Sequence, residues 1–138
     1  LALLLLAAPL ASAQDAAADS AAIRATAMDY LMGYYEGDAD RMERALHPDL
    51  VKRIVRRGPD GRTRIDPMSS LTLVNLAGSG SGTSVPEDER IAEVHILDME
   101  AHTATIKTRA TGFFDYMHLA RFGDGWKILN VLWDFPSE

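Results

Sequence analysis

The sequence predicts an α+β domain, with amino-terminal helices packed on one face of a curved antiparallel sheet. Three observations predict it. Apolar residues recur at helical spacing in the first part of the chain. From Ile91 onward, four segments alternate or are rich in β-formers. Only short breaks separate those segments, and short connections join antiparallel neighbours in a meander. Helices first and strands afterwards is the α+β order.

Each element has its own signal. Leu1–Leu6 is nearly pure leucine and is followed by the small-x-small site Ala11-Ser12-Ala13. This reads as a secretory signal peptide over residues 1–13, truncated at its start because it lacks a Met and a basic n-region. The apolar stretch is too short to cross a bilayer, so the mature protein is expected to have no membrane span and to be periplasmic or secreted. Residues 14–19 read as a polar leader, and residues 20–138 as a single domain. Ser20 is the expected N-cap of a helix to about Glu36, with Ile23, Ala27, Tyr30, Leu31 and Tyr34 on its apolar face and Gly37 at its end. Asp38 caps a second, short helix that buries Met42, Ala45 and Leu46 and stops at His47-Pro48. Val51 to Arg57 reads as a strand, followed by the turn Gly58-Pro59-Asp60-Gly61. Asp66-Pro67 reads as the cap and first-turn proline of a third helix to about Ala77, and Gly78 to Ser84 as a flexible tract. Four strands follow: Ile91 to Leu97, Thr103 to Ala110, Phe113 to Phe122 and Trp126 to Asp134.

Composition narrows the function. The 138 residues include no cysteine, which excludes disulfides, thiolate metal sites and cysteine nucleophiles. The net charge of −6 argues against a nucleic-acid partner. His47, His95, His102 and His118 have no short ligand spacing, so no metal is expected. Gly78 to Gly82 lacks the Lys-Ser/Thr of a phosphate loop, and no cofactor is expected. The run Lys52, Arg53, Arg56, Arg57, Arg62 and Arg64 sets six bases against the one acid Asp60. It reads as a solvated edge strand protected by charge, or as a surface that steers an anionic ligand.

The segments AIRATAMDYLMGYYEGDADRMERALHPDLVKR (Ala22 to Arg53) and DYMHLARFGDGWKILNVLW (Asp115 to Trp133) resemble the nuclear transport factor 2-like superfamily, in its putative lumazine-binding (SnoaL-like) branch. The patterns GDADRMERALHP and HLARF…GWKILNVLW carry the likeness. The resemblance implies a cone in which a bent sheet wraps around helices and leaves an internal pocket. It also implies a homodimer through the sheet face. The superfamily includes isomerases, dehydratases, cyclases and association domains, so function has to come from the site.

Alternation along the last two strands suggests that site. His118 shares a face with Phe114 and Tyr116, a polar group among aromatics that suits a general base or a ligand anchor. Asp115 falls on the opposite face, expected beside Lys107 or Arg109. Asn130 is placed with Trp126 and Ile128, where its amide would orient a carbonyl or ring. Tyr30 and Tyr34 lie one helical turn apart and could stack on a ring, while Tyr35 points about 100° away from Tyr34. His47 reads as a helix C-terminal cap. The expected ligand-binding set is therefore Tyr30, Tyr34, Tyr116, His118 and Asn130. Three readings stay open. The first is a periplasmic or secreted domain that takes an apolar or heteroaromatic small molecule. The second is a cofactor-free isomerase, dehydratase or cyclase with His118 as base. The third is a homodimerising module with Trp133 and Phe135 in the contact.

Overall fold

The computed structural model describes residues 7–137. The leucine run Leu1–Leu6 lies outside the described residues. The elements, in order, are α1 (Ala7–Glu36), α2 (Ala39–Ala45), β1 (Leu46–Arg57), β2 (Thr63–Ser69), α3 (Ser70–Gly78), β3 (Ala92–Met99), β4 (Thr103–Ala110), β5 (Phe113–Phe122) and β6 (Gly125–Asp134). The strands form one six-stranded sheet in the order β2-β1-β6-β5-β4-β3. Every neighbouring pair is antiparallel except β1 and β6, which run parallel. The helices pack on one face, and the α+β expectation holds.

α1 is longer than its expected start at Ser20. It continues through Ala13 and the Ala-rich segment 16–18, so Ser20 is helix interior. Alanine is the best helix former, and no Gly or Pro interrupts the stretch from Ala11 to Met32. The buried stripe of α1 is also wider than expected. Ile23, Ala27, Tyr30, Leu31 and Tyr35 are all buried, and Tyr34 is half-buried at its edge. The Tyr35 hydroxyl donates to the Ile91 carbonyl at 2.7 Å and accepts from the Thr111 amide at 2.8 Å. That phenol ties the helix to the start of β3 and to the β4–β5 turn.

Gly37 adopts φ +70 and breaks α1. Asp38 then caps α2, its carboxylate accepting from the Arg41 amide at 2.9 Å. Asp66 and Pro67 do not start a helix, contrary to their sequence signature. They sit inside β2, paired with Ile54 and Arg53 of β1. β2 is an edge strand, where the missing proline N–H costs no sheet hydrogen bond. The cap of α3 is Ser69, whose hydroxyl accepts from the Thr72 amide at 3.1 Å. The Gly/Ser tract is a series of closed turns, including Ser79 to Asn75, Gly80 to Ala77 and Thr83 to Gly80. Gly82 packs so closely on the Tyr34 backbone that a Cβ there would overlap it.

β1 is not the edge strand its charges suggest. It lies between β2 and β6, with Leu50, Lys52 and Ile54 turned into the core. β6 carries a bulge: His118 pairs with Asn130 but Leu119 pairs with Ile128, so Leu129 is the extra residue. Trp126, Ile128, Val131 and Trp133 therefore face the helices, while Asn130 and Leu132 face away.

Candidate functional site

The helices and the β1–β2 side of the sheet leave a cavity of about 520 Å³ between them. This lies within the ordinary range for small-molecule pockets. Its floor includes Tyr30 from α1, Met42 from α2, Lys52 and Ile54 from β1, and Leu73 from α3. Phe113 and Trp133 form an aromatic wall on the β5–β6 side. Tyr34, Arg56, Asp66 and Phe135 stand nearer the solvent.

The polar centre of this lining is Lys52. Its Nζ donates to Asp115 Oδ1 at 2.7 Å and to the Tyr30 hydroxyl at 2.6 Å. Asp115 is fully buried behind it and also accepts from Thr108 Oγ1 at 3.1 Å through its other oxygen. Tyr30 completes the group with a longer donation of 3.4 Å to Asp115 Oδ1. The Lys52 ammonium also sits 5.3 Å from the Tyr30 ring, 5.1 Å from Phe113 and 4.9 Å from Trp133. Cation–π attraction compensates part of the hydration lost on burial. Burial lowers the Lys52 ammonium from its ordinary value, and the Asp115 charge opposes that shift. Burial, reinforced by the Asp115 charge, holds the Tyr30 phenol well above its ordinary value.

Two further features shape the cavity. Trp133 Nε1 is, among the described residues, the one buried side-chain nitrogen or oxygen without a hydrogen-bond partner. A protein normally supplies such a donor with an acceptor, and this one meets none. At the rim, the Arg56 guanidinium lies 5.5 Å from both the Trp133 and Phe135 rings and 3.3 Å from Asp66 Oδ2. The Asp66 carboxyl is held below its ordinary value, chiefly by its hydrogen bond from Arg64.

The match to a known family covers most of this architecture. Residues 18–134 fit the family described as putative lumazine-binding. The chain belongs to that family. The putative lumazine-binding fold here is the nuclear transport factor 2-like cone, as its solved neighbours show. One is a nuclear transport factor 2-like protein of unknown function from Silicibacter pomeroyi, 14% identical, covering 88% of this chain and 98% of its own, with a TM-score of 0.65. Another, from Novosphingobium aromaticivorans, has a cystatin-like fold at 14% identity, 96% and 92% coverage, and a TM-score of 0.67. A third is a hexachlorocyclohexane dehydrochlorinase from Novosphingobium barchaimii, at 12% identity, 90% coverage of each chain, and a TM-score of 0.63. No curated protein matches the sequence.

Within this member of the putative lumazine-binding family, the expected site residues divide between two faces. Tyr30 and Tyr34 line the cavity. Tyr116, His118 and Asn130 do not: they are exposed on the outer face of the sheet. The alternation along β5 is as read, but its inward set is Phe113, Asp115, Met117 and Leu119, so the hydrophobic core took the other face. Asn130 follows His118 outward because Leu129 is absorbed in the bulge. His118 and Asn130 border a separate groove of about 260 Å³ with Asp98 and Thr105. His118 as a base in the cone is thereby corrected. Asp115 is corrected too, since its partner is Lys52 on β1 and not Lys107 or Arg109. His47 stacks on Phe122 at 4.5 Å, and its Nδ1 accepts from the Asp49 amide at 3.1 Å, so it does not cap helix carbonyls.

Sequence reasoning leaves Lys52, Asp115 and Trp133 out of the site. It reads Lys52 as an edge charge, Asp115 as a partner of Lys107 or Arg109, and Trp133 as a dimer contact, whereas the Trp133 ring turns inward and lines the cavity. A signal was present for the first two. Leu50-x-Lys52-x-Ile54 and Phe113-x-Asp115-x-Met117 each place a charge in the apolar half of an alternating strand. Opposite charges on two inward faces can meet. Among the described residues, no three His, Asp or Glu side chains gather as a metal site, and no helix is long and apolar enough to cross a membrane.

Proposed function

We propose that the cone cavity binds a flat, apolar or heteroaromatic small molecule carrying hydrogen-bond acceptors. One observation carries the reading. The cavity walls are aromatic, and two donors border them: the Lys52 ammonium and the unpartnered Trp133 indole N–H. Lys52 has three N–H groups, and Tyr30 and Asp115 take two. The third is available to a carbonyl or ring nitrogen. The family description supports a fused heteroaromatic ring system as the ligand class. Titrating the protein with lumazine and related pteridine diones tests this. Quenching of tryptophan fluorescence and a raised Tm are expected. If no fused-ring compound moves either readout, the reading fails.

The protein is proposed to act outside the cytoplasm, as the leucine run and Ala11-Ser12-Ala13 support. Mass determination of the processed amino terminus in a periplasmic fraction checks it, and an intact chain retained in the cytoplasm rejects it. A homodimer through the outer sheet face is supported by Val55, Ile65, Leu97 and Leu132, all exposed. Light scattering at micromolar concentration decides, and a monomer rejects it.

A further inference from the structure

The three lysines of the chain occupy three different settings. Lys107 lies over the Phe114 and Tyr116 rings, at 4.9 and 5.2 Å. Lys127 donates to the Arg44 carbonyl at 2.6 Å and stands 3.6 Å from Asp124. Lys52 alone of the three borders the cone cavity. It is also the one with both a carboxylate and a phenol within direct proton-transfer distance.

An amine placed in this way is more than a hydrogen-bond donor. A lysine becomes a nucleophile when apolar surroundings favour its neutral form and a neighbour can take and return its proton. Both conditions are met by Lys52. The residue is almost completely withdrawn from water, at 4% exposure. Asp115 is held rigidly behind it by Thr108. Burial shifts the lysine equilibrium towards the free amine.

We propose that Lys52 forms an imine with an aldehyde or ketone ligand held in the cavity, with Asp115 and Tyr30 moving the protons. This rests on the ligand-binding reading above and adds a covalent step to it. The ammonium first passes one proton to Asp115 Oδ1. The nitrogen lone pair then adds to the carbonyl carbon, a C–N bond forms, and the C=O π pair moves onto oxygen. A proton shifts from nitrogen to that oxygen through the Tyr30 hydroxyl, giving a neutral carbinolamine. The nitrogen lone pair expels the hydroxyl, which takes the proton stored on Asp115 and leaves as water. The product is a protonated imine beside an ionised Asp115. One cation replaces another, so the buried carboxylate keeps its partner, and no oxidant or reductant is consumed.

The test uses 2-naphthaldehyde as the probe, with cyanoborohydride to fix the imine as a stable amine. The wild-type chain is expected to gain one naphthylmethyl group, and peptide mapping should place it on Lys52. Labelling there should run about tenfold ahead of Lys107 and Lys127. The Lys107→Arg/Lys127→Arg double variant, in which Lys52 is the remaining lysine, should label equally well. 2-Naphthylmethanol has the same ring system but cannot condense. It should bind in isothermal titration and block the labelling. If it binds while the label falls on Lys107, Lys127 or the terminal amine, the imine is overturned and ligand binding stands. If it neither binds nor competes and Lys52 stays unlabelled, both readings are overturned.

Discussion

Lys52 and Asp115 come from strands that are not neighbours, yet their side chains meet at 2.7 Å beneath the cavity. β6 runs between β1 and β5, so the pair bridges across an intervening strand on the inner face. Both groups are almost completely removed from water. Such a pair is costly to break from one side, because the surviving charge stays buried without compensation.

Lys52→Met should therefore destabilise the fold by about 3–5 kcal/mol in urea unfolding, and Asp115→Leu should do the same. The Lys52→Met/Asp115→Leu double variant should recover most of that loss. Simple additivity of the two single losses would show that the pair is not coupled.

The same cluster sets an alkaline pH dependence. The folded state lowers the Lys52 ammonium below its ordinary 10.5. Its contribution to stability is full above 10.5 and is lost as pH falls through the lowered folded value. Tyr30 has the opposite sign. Its phenol is raised above 10.0 in the fold, so its contribution is full below that value and is lost as pH rises through the raised one. Urea midpoints should rise towards about pH 10 and then decline. Tyr30→Phe should remove its part of the decline, and Lys52→Met/Asp115→Leu should flatten the rise.

Trp133→Phe separates ligand recognition from packing. It deletes a buried donor that has no acceptor, so unfolding free energy should hold or rise by about 1 kcal/mol. Affinity for an acceptor-bearing ring should fall by about tenfold, the equivalent of one good hydrogen bond. Isothermal titration of wild type and variant with the same pteridine dione reads the difference.

His118→Ala should leave that affinity unchanged and shift stability by less than about 0.5 kcal/mol. The imidazole is exposed on the face of the sheet opposite the cavity. A loss of cavity binding in this variant would contradict the geometry described above.

Much of the architecture was legible in local patterns. Asp38 as a cap, Gly37 as a break, the turn at Gly58 to Gly61 and the four-strand meander each follow from residues acting on their immediate neighbours. What failed depends on partners distant in sequence. Asp66-Pro67 reads as a helix start until β1 pairs with it. Lys52 reads as an edge charge until β6 covers the other side of its strand. The two faces of β5 were separated correctly, but the choice between aromatic and charged sets was made by the core. A carboxylate could enter that core because Lys52, 63 positions earlier, was there to neutralise it. Asn130 was placed on the wrong side by a single bulged residue, which strict alternation cannot register.

Asp19 accepts from the Trp126 indole at 3.3 Å and pairs with the Arg121 guanidinium. α1 is thus moored to the β5–β6 hairpin six positions beyond Ala13. Tyr30 lies a further eleven residues along, about 17 Å at the helical rise. A tag or fusion partner placed ahead of Asp19 would therefore meet this mooring before it reaches the binding chamber.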